Sequence, residues 1–389
     1  MQMQLKQKSA PTLGIIGGGQ LAKMTAQAAS QFGCDVVVLE RNEHSPAIGL
    51  ASHYLVGDWD NSADLFKLGA LVDIVTLENE FVDAESLAQL EQNGHKLWPT
   101  AATMRVVQDK LRQKQTLAEA GLPLPRFFDA PTPEAVLAAA AHFGWPVLLK
   151  KRRNSYDGKG NATVSGPEEV LAAWQKLGGD RNALYAEDFV PFTKELAVMI
   201  TRTCGGHTAI YPVVETTQHE HICHIVQAPA PKAEEQAARV REIAIRAVEA
   251  VDGVGSFGVE LFLTNNGTIL INELAPRVHN SGHYTIEACV CSQFENHVRA
   301  VLGWPLGSTA MREPAAAMIN LLGVGPGPGE PEGLSEALRV EGAFIHVYGK
   351  RQSARGRKMG HVTALGQTID EALATARRAA SAIRFGGEA

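Results

Sequence analysis

Several features that assign a protein to a class at once are scarce or missing in this chain. Its five cysteines are odd in number and lack Cys-x-x-Cys spacing, which argues against a disulfide framework and a cysteine zinc site and predicts reduced thiols. Although 45% of the 389 residues are hydrophobic, no apolar run reaches the roughly 18 residues that span a bilayer. The formal net charge of −6 provides no polycationic surface for nucleic acid. The sequence therefore predicts a cytoplasmic protein of two or three domains, with neither a membrane nor a nucleic acid as partner.

The N-terminal region has the pattern of a βαβ unit that follows a disordered leader, residues 1–11. A strand is predicted over 12–16, a glycine turn over 17–19 and a helix over 20–32, and the next strand ends at Glu40. The free backbone amides of such a turn can bind a phosphate. A dinucleotide dehydrogenase is an alternative, because Glu40 follows the glycines by about twenty residues and could hold a ribose.

A second acidic site is predicted after the strand Ile74–Leu77. This strand delivers Glu78 and Glu80 to its carboxyl end, although acids are also common in the first turn of a solvated helix.

The central region carries lysines around a glycine-rich loop. A helix is predicted to begin at Asp109 and run to Ala120, where Gly121 ends it. The strand 145–150 ends in Lys150, a point charge suited to a phosphate, and the loop 154–161 follows. A mobile glycine loop with lysines on both sides suits a lid over a triphosphate, while a plain hairpin is the alternative.

A hairpin further along the chain is predicted to pair two carboxylates. The strands before and after Asn265-Asn266-Gly267 would bring Glu260 and Glu273 side by side. Two carboxylates at that distance repel each other unless a cation lies between them, so they predict a divalent metal site. Arg277, His279, Asn280 and His283 follow within seven positions, which suits a small anion beside the metal. The segment after the hairpin continues with a helix predicted over 286–302.

Two polar clusters leave alternatives open. His219, His221 and His224 invite a zinc assignment, but no cysteine or carboxylate frame accompanies them. The basic run 350–358 is either a solvated turn, a nucleic-acid patch or a site for a ribose 5-phosphate, and the acidic net charge argues against the second.

The run Asn-Glu-Leu-Ala-Pro-Arg-Val-His-Asn-Ser-Gly-His, residues 272–283, resembles the metal and substrate segment of the ATP-grasp enzymes of purine biosynthesis. It is most similar to the N5-carboxyaminoimidazole ribonucleotide synthase family, and the resemblance extends from about Leu13 to His361. Residues 20–24, Gln-Leu-Ala-Lys-Met, and 156–160, Tyr-Asp-Gly-Lys-Gly, resemble two further motifs of the family. The chain departs from the family at Asn154-Ser155, where glycines are usual, and at Asn161, where glutamine is common.

The resemblance implies a fold class of α/β and α+β with three domains. Residues 1–108 would form a Rossmann-like pre-ATP-grasp domain that binds the substrate, and residues 109–309 the ATP-grasp domain, with a lid over about 118–188. Residues 310–389 would form a small β-rich domain that completes the substrate site, and the family is commonly dimeric, which predicts a homodimer.

The resemblance also implies roles for individual residues. It assigns ATP to Lys110, Lys150, Ser155, Tyr156, Asp157, Gly158, Lys159, Gly160, Asn161, Glu187, Asp188, Phe189, Val190, Glu195, Gln218, Asn272 and Glu273. It assigns the ribonucleotide to Gly19, Gln20, Leu21, Glu78, Glu80, Asn280, Ser281, Lys350, Arg357 and Lys358, and we favour Glu78 over Glu80 as partner of its amine. Arg277, His279 and Lys350 would hold bicarbonate, and Tyr156 would assist proton movement or shield the intermediate from water.

The implied activity is the ATP-dependent carboxylation of 5-aminoimidazole ribonucleotide by bicarbonate, through carboxyphosphate. Glu260 and Glu273 would hold Mg²⁺, with Mn²⁺ as an alternative ion. Three other functions remain open: the formate-using glycinamide ribonucleotide enzyme, an NAD-dependent oxidoreductase and a non-catalytic nucleotide sensor. The sensor would require the loss of a metal-binding acid, and both acids are present.

Overall fold

The computed structural model describes residues 10–155 and 160–387. The leader predicted for residues 1–11 therefore lies outside the described residues except at its last two positions. The described N-terminal part contains a parallel sheet of four strands in the order β3-β2-β1-β4. Its strands are β1 (Thr12–Ile16), β2 (Asp35–Glu40), β3 (His53–Val56) and β4 (Ile74–Leu77), and its helices are α1 (Gln20–Ser30), α2 (Ser62–Gly69), α3 (Ala84–Gln92) and α4 (Ala101–Val107).

Apolar clusters cover both faces of this sheet, as a parallel sheet requires. Leu13 and Ile15 of β1 face a cluster that includes α1, whereas Ile16 faces the cluster of α2, α3 and α4. Every residue of β1 is buried, which explains its unbroken apolar sequence. The predicted βαβ unit is confirmed, with the helix two residues shorter than expected because the chain turns before Gly33, whose φ is +71°.

An antiparallel sheet in the order β5-β8-β6-β7 follows, with helices against it. Its strands are β5 (Phe127–Asp129), β6 (Val147–Lys151), β7 (Asn161–Val164) and β8 (Leu184–Asp188), and the helices of this part are α5 (Lys110–Glu119), α6 (Pro133–Phe143) and α7 (Val170–Lys176). Asp109 begins α5 as predicted, since its carboxylate accepts hydrogen bonds from the amides of Leu111 and Arg112. Gly121 ends it in the left-handed region, with φ +68°.

The largest sheet runs from the central region into the C-terminal region. Its path is β14-β13-β9-β11-β12-β15-β19-β17, with β10 paired to β9. The strands of this region are β9 (Phe192–Arg202), β10 (Thr208–Ile210), β11 (Val214–His219), β12 (Ile222–Ala228), β13 (Gly255–Thr264), β14 (Ile269–Ala275), β15 (Ala315–Leu322), β16 (Gly327–Pro328), β17 (Ala343–Val347), β18 (Gln352–Ser353) and β19 (Lys358–Gly366). The helices are α8 (Glu234–Ala250), α9 (Thr285–Ala288), α10 (Gln293–Val301), α11 (Leu334–Ala337) and α12 (Ile369–Ala382).

The single helix predicted over 286–302 is wrong, because the chain forms α9 and α10 with a break between them. Backbone hydrogen bonds tie the break to a downstream segment, from the amide of Val290 to the carbonyl of Ala310 and from Cys291 to Ser308. Ser292 then caps α10 by accepting from the amide of Glu295. The mixed α/β and α+β class is confirmed by the parallel first sheet and the antiparallel others. Each helix within the described residues is too short or too polar to traverse a bilayer.

Candidate active site

The hairpin of β13 and β14 places the two predicted metal-binding acids opposite each other. Glu260 and Glu273 are partners in the antiparallel register, next to a register shift between Glu260 and Leu261. Gly267 supplies the left-handed position of the connecting turn, with φ +79°. The amide of Asn272 donates to Glu260 Oε2 over 3.3 Å, so three oxygen-bearing side chains meet here. Hard oxygen donors of this kind fit Mg²⁺.

The two carboxylates share too little positive charge to be ionised equally. Burial, followed by the charge of Glu273, raises the pKa of Glu260 to about 7. Burial opposes ionisation of Glu273 as well, but the ammonium of Lys110 outweighs it and lowers the pKa of Glu273 to about 2. Lys110 forms a direct ion pair with Glu273, so a side chain assigned to ATP already meets one assigned to metal.

Helix α5 is fixed against β14 by its own polar side chains. Gln113 accepts a hydrogen bond from the amide of Leu274 over 2.8 Å and donates to the carbonyl of the same residue over 3.0 Å. Arg152 holds the helix start by a two-point contact with Asp109, at 2.7 and 3.0 Å. The position of Lys110 beside Glu273 therefore follows from how α5 packs.

A buried charge cluster joins α5 to the strands of the second sheet. Glu187 of β8 is 1% exposed, and its two oxygens contact Lys150 at 2.7 Å and Lys114 at 2.6 Å. Lys150 and Glu187 were both predicted for the nucleotide, whereas Lys114 was missed. The signal for Lys114 was its spacing, because it stands four residues after Lys110 and so shares a face of α5.

Arg277 and Glu80 form a paired unit rather than two separate ligands. Glu80 accepts from Nε of Arg277, and from Nη2 over 3.0 Å, while Nη1 donates to the carbonyl of Val278 over 3.2 Å. The side chains of Arg277 and Glu80 are 17% and 22% exposed. Glu80 is thus engaged by a guanidinium, and the choice between Glu78 and Glu80 as partner of an amine stays a prediction.

His279 faces the predicted metal-binding acids as a neutral ring. Its Nδ1 is 2.9 Å from the hydroxyl of Ser281, and its Nε2 is 3.4 Å from Glu260 Oε1. Burial and then the positive charges of Arg277 and Lys358 lower the pKa of His279 to about 4. The imidazole is therefore uncharged near neutral pH and can exchange hydrogen bonds with an anion.

Asn280 lies beside His279 but its amide is engaged elsewhere. It forms a reciprocal pair with the amide of Asn320 on β15, at 2.9 and 2.6 Å, and both side chains are buried. Asn320 gave no signal in the sequence, since it lies in an apolar strand forty residues away.

The glycine turn before α1 is covered by Glu78. Glu78 accepts hydrogen bonds from the amides of Gly19, over 2.8 Å, and Ala22, over 3.1 Å, while burial raises its pKa. A Cβ on Gly17, which has φ +94°, would lie 2.4 Å from the Glu78 side chain, so the turn requires glycine there. The predicted ribonucleotide residues Gly19, Gln20, Leu21 and Glu78 are thus neighbours.

Glu40 does not extend from the turn as a ribose partner would. Its carboxylate accepts from the amides of Gly18, over 2.6 Å, and Arg41, over 2.7 Å. The acid on which the dehydrogenase alternative depends is therefore bound to the glycine turn itself.

The C-terminal basic run reaches the site through only some of its residues. Lys350 donates to the carbonyl of Lys358 over 2.8 Å, and the charge of Lys358 lowers the pKa of His279 and opposes the rise in that of Glu260. Arg357 is exposed, and its guanidinium donates to the carbonyl of Gln352 over 2.7 Å. Lys358 is thus brought to the acids, whereas Arg357 contacts the strand that immediately precedes its own turn.

Lys23 links the glycine turn to the C-terminal region and was also missed. Its ammonium donates to the carbonyls of Val347, over 3.0 Å, and Tyr348, over 3.1 Å. It occupies a variable position of the motif at 20–24, so the sequence offered no reason to select it.

The remaining residues predicted for the nucleotide lie around β8, β9 and the loop after β6. Asp188, Phe189 and Val190 follow each other where β8 ends, and Glu195 of β9 accepts a hydrogen bond from Gln218 of β11. Ser155, Glu80, Lys110 and Glu273 line one narrow cleft, which brings three predicted functions together. Asn161 is opposite Lys150 in the pairing of β6 with β7, and Gly160 has φ +97°. Tyr156, Asp157, Gly158 and Lys159 lie outside the described residues.

Two other features do not line the narrow cleft. A cavity of about 460 Å³ between α5, β5 and α6 is lined by residues such as Leu122, Phe128 and His142, none of which lines the cleft. The rings of His219 and His224 are 5.9 Å apart. Over residues 10–155 and 160–387, no group of three or more His, Cys, Asp or Glu side chains is arranged to hold a metal.

Three family models match successive parts of the chain. They are the ribonucleotide synthetase preATP-grasp domain over residues 10–108, the ATP-grasp domain over 115–294 and the phosphoribosylaminoimidazole carboxylase C-terminal domain over 316–375.

Named relatives cover most of the chain. A chloroplastic phosphoribosylaminoimidazole carboxylase of Vigna aconitifolia is 42% identical over 369 residues, which are 92% of this chain and 64% of that protein. The chain thus spans slightly less than two thirds of the plant protein. An N5-carboxyaminoimidazole ribonucleotide synthase of Synechococcus elongatus is 43% identical over 90% of this chain and 88% of that protein.

A solved structure agrees with these relatives. The N5-carboxyaminoimidazole synthase of Aspergillus clavatus, in complex with ADP and 5-aminoimidazole ribonucleotide, is 33% identical with a TM-score of 0.88. The match covers 96% of this chain and 98% of that one. The predicted ATP-grasp fold, with its preATP-grasp and C-terminal parts, is confirmed, and the chain belongs to the N5-carboxyaminoimidazole ribonucleotide synthase family.

Proposed function

We propose that this protein carboxylates the amine of 5-aminoimidazole ribonucleotide with bicarbonate, at the expense of ATP, in purine biosynthesis. The observation that carries the proposal is one cluster of side chains. In it the paired acids Glu260 and Glu273 and the lysine Lys110, which is suited to a phosphate, lie beside Arg277 and the neutral His279. Family membership and the named relatives support the same activity.

The first step would convert bicarbonate into a better electrophile. A bicarbonate oxygen attacks the γ-phosphorus of ATP, the bond to ADP breaks, and carboxyphosphate forms. Phosphoryl transfer of this kind needs alignment and charge neutralisation more than covalent catalysis. Lys110 and Lys150 would neutralise the phosphates, while Arg277, His279 and Lys350 would hold bicarbonate and its adduct.

The second step would transfer the carboxyl group to the ribonucleotide. The amine attacks the carboxyl carbon of carboxyphosphate, inorganic phosphate leaves with the bonding electrons, and the amine loses a proton. Glu78 would orient the amine, and Tyr156 would assist proton movement or shield the intermediate from water.

The acids Glu260 and Glu273, with Asn272, fit a divalent cation by their chemistry. Burial and the neighbouring charge of Glu273 raise the pKa of Glu260, and a cation bound between the two acids would offset that repulsion. When bound there, Mg²⁺ or Mn²⁺ would neutralise phosphate oxygens of the nucleotide. Both acids are present, which disfavours a sensor without catalysis.

The other binding roles are part of the same proposal. Ribonucleotide binding is proposed for Gly19, Gln20, Leu21, Asn280, Ser281, Lys350, Arg357, Lys358 and Glu78, with Glu80 as the alternative to Glu78. Nucleotide binding is proposed for Lys110, Lys150, residues 155–161, residues 187–190, Glu195, Gln218, Asn272 and Glu273. We also propose domains over 1–108, 109–309 and 310–389, a lid over about 118–188, a homodimer and a cytoplasmic location.

One assay tests the proposed activity. ADP release is followed with aminoimidazole ribonucleotide, with and without bicarbonate and Mg²⁺, and the expected result is dependence on all three. Glycinamide ribonucleotide with formate is the matched alternative, and faster turnover with that pair would overturn the assignment. A titration with NAD tests the oxidoreductase alternative in the same preparation.

A further inference from the structure

Lys114 is more deeply buried than Lys110 and Lys150, the two lysines proposed for the nucleotide, and the proposed reaction assigns it no role. Its side chain is 2% exposed, and its ammonium contacts Glu187 Oε2 at 2.6 Å and donates to the carbonyl of Asn272 over 3.0 Å. Burying an ammonium is costly unless it is paired and hydrogen-bonded, and Lys114 is both. Lys114 therefore connects β8, the strand of Glu187, with β14, the strand of Asn272 and Glu273.

The charge balance of the cluster depends on Lys114. Lys150 contacts the other oxygen of Glu187 at 2.7 Å, and the side chains of Lys114, Glu187 and Lys150 are 2%, 1% and 8% exposed. Two ammonium groups on one carboxylate leave a net charge of +1. Without Lys114, the carboxylate of Glu187 would pair only with Lys150, and the net charge of that pair would be zero.

The surrounding protein amplifies this difference. A charge that is buried interacts with its neighbours much more strongly than one in water. A phosphate near Lys150 would therefore experience an attractive cluster when Lys114 is present, and a neutral ion pair when it is absent. The effect requires no contact between Lys114 and the nucleotide.

We propose that Lys114 is a positioning residue that holds Glu187 and thereby keeps the charge of Lys150 available to the nucleotide phosphates. This inference rests on the proposed function only in that ATP is the ligand. Within α5, Lys110 then contacts Glu273, and Lys114, one turn later, sets the charge beside Glu187 of β8.

Nucleotide binding by titration calorimetry tests the proposal, with ATP and adenosine as the two probes. Lys114→Met should weaken ATP about tenfold to hundredfold, the range for a lost charge-assisted contact, and should leave adenosine within about threefold. Lys114→Arg should retain most of the ATP affinity. Arg112→Met is the matched control, because Arg112 is an exposed cation on the same helix, and it should bind both probes as the parent does.

A purely structural role for Lys114 predicts a different result. If Lys114→Met weakens adenosine as much as ATP, or leaves ATP unchanged, the proposal is overturned. If Lys114→Met does not fold, Lys114→Gln, which keeps a hydrogen-bond donor but no charge, replaces it with the same expected results. Equal losses of affinity for ATP and adenosine in that variant would contradict the proposal.

The two proposals fail separately. A parent protein that binds ATP but releases no ADP with aminoimidazole ribonucleotide would refute the proposed activity and leave the role of Lys114 standing.

Discussion

Glutamine in place of Glu80 should slow the reaction by releasing Arg277, although Glu80 itself would not contact bicarbonate. The carboxylate accepts hydrogen bonds from Nε and Nη2 of Arg277, whose side chain is 17% exposed. The oxygen of a glutamine can accept one of these hydrogen bonds. Its NH₂ group would face the other donor of Arg277 and cannot accept the second bond. One lost charge-assisted hydrogen bond costs about 1.5–3 kcal/mol, which corresponds to about tenfold to hundredfold in the catalytic efficiency for bicarbonate.

The effect should be specific to bicarbonate and should depend on Arg277. Steady-state ADP release is measured with each substrate varied in turn, and the constants for ATP should not change. Arg277→Met should cost about a thousandfold, as expected for a principal charge stabiliser, and adding Glu80→Gln should cost nothing more, because the carboxylate acts through the guanidinium. Glu85→Gln, which breaks an exposed ion pair with Arg105, is the matched control.

Two results would refute this reasoning. Additive losses in the double variant would mean that Glu80 acts independently of Arg277. A rise confined to the Michaelis constant for the ribonucleotide would instead make Glu80 the partner of the substrate amine, in place of Glu78.

Three further predictions concern the acids and the basic residues. Glu273→Gln should reduce turnover about a thousandfold or more, because the amide lacks the charge that holds a cation, while the circular dichroism spectrum stays unchanged. Turnover within tenfold of the parent at saturating Mg²⁺ would contradict a ligand role. The pKa of Glu260 is about 7, so at lower pH a cation must displace its proton. The affinity for Mn²⁺ with ADP should therefore increase about tenfold for each pH unit up to pH 7 and stay constant above it. A flat profile by calorimetry would exclude Glu260 as a ligand. Arg357→Ala should raise the Michaelis constant of the ribonucleotide about tenfold to hundredfold and leave that of ATP unchanged, and Lys150→Ala should do the reverse; if Arg357→Ala has no kinetic effect, its turn is only solvated.

Local patterns predicted the parts of the site that a short stretch of chain can specify. The alternating strands around Asn265-Asn266-Gly267 allowed the hairpin and the pairing of Glu260 with Glu273 to be predicted, because turn chemistry fixes the register. The N-cap at Asp109 and the stop at Gly121 were likewise predictable, since both depend on the residue itself.

Contacts between distant segments could not be predicted in this way. The ion pair of Arg277 with Glu80 joins positions 197 residues apart, and Lys23 meets a carbonyl 324 residues away. Such pairs are set by how sheets pack, for which the sequence carries no local signal. The break between α9 and α10 has the same origin, because the carbonyl that holds Val290 comes from Ala310.

The continuity of the large sheet limits how this chain can be divided. Strand β12 pairs on one side with β11 and on the other with β15, with Ile225 opposite Ile319 and Ala228 opposite Ala316. A truncation after residue 309 would strip β15, β17 and β19 from the sheet and expose an apolar edge, a common cause of aggregation. The segment that carries the proposed nucleotide-binding residues is therefore not expected to fold on its own. A fusion or shortened protein must retain the C-terminal strands to stay folded.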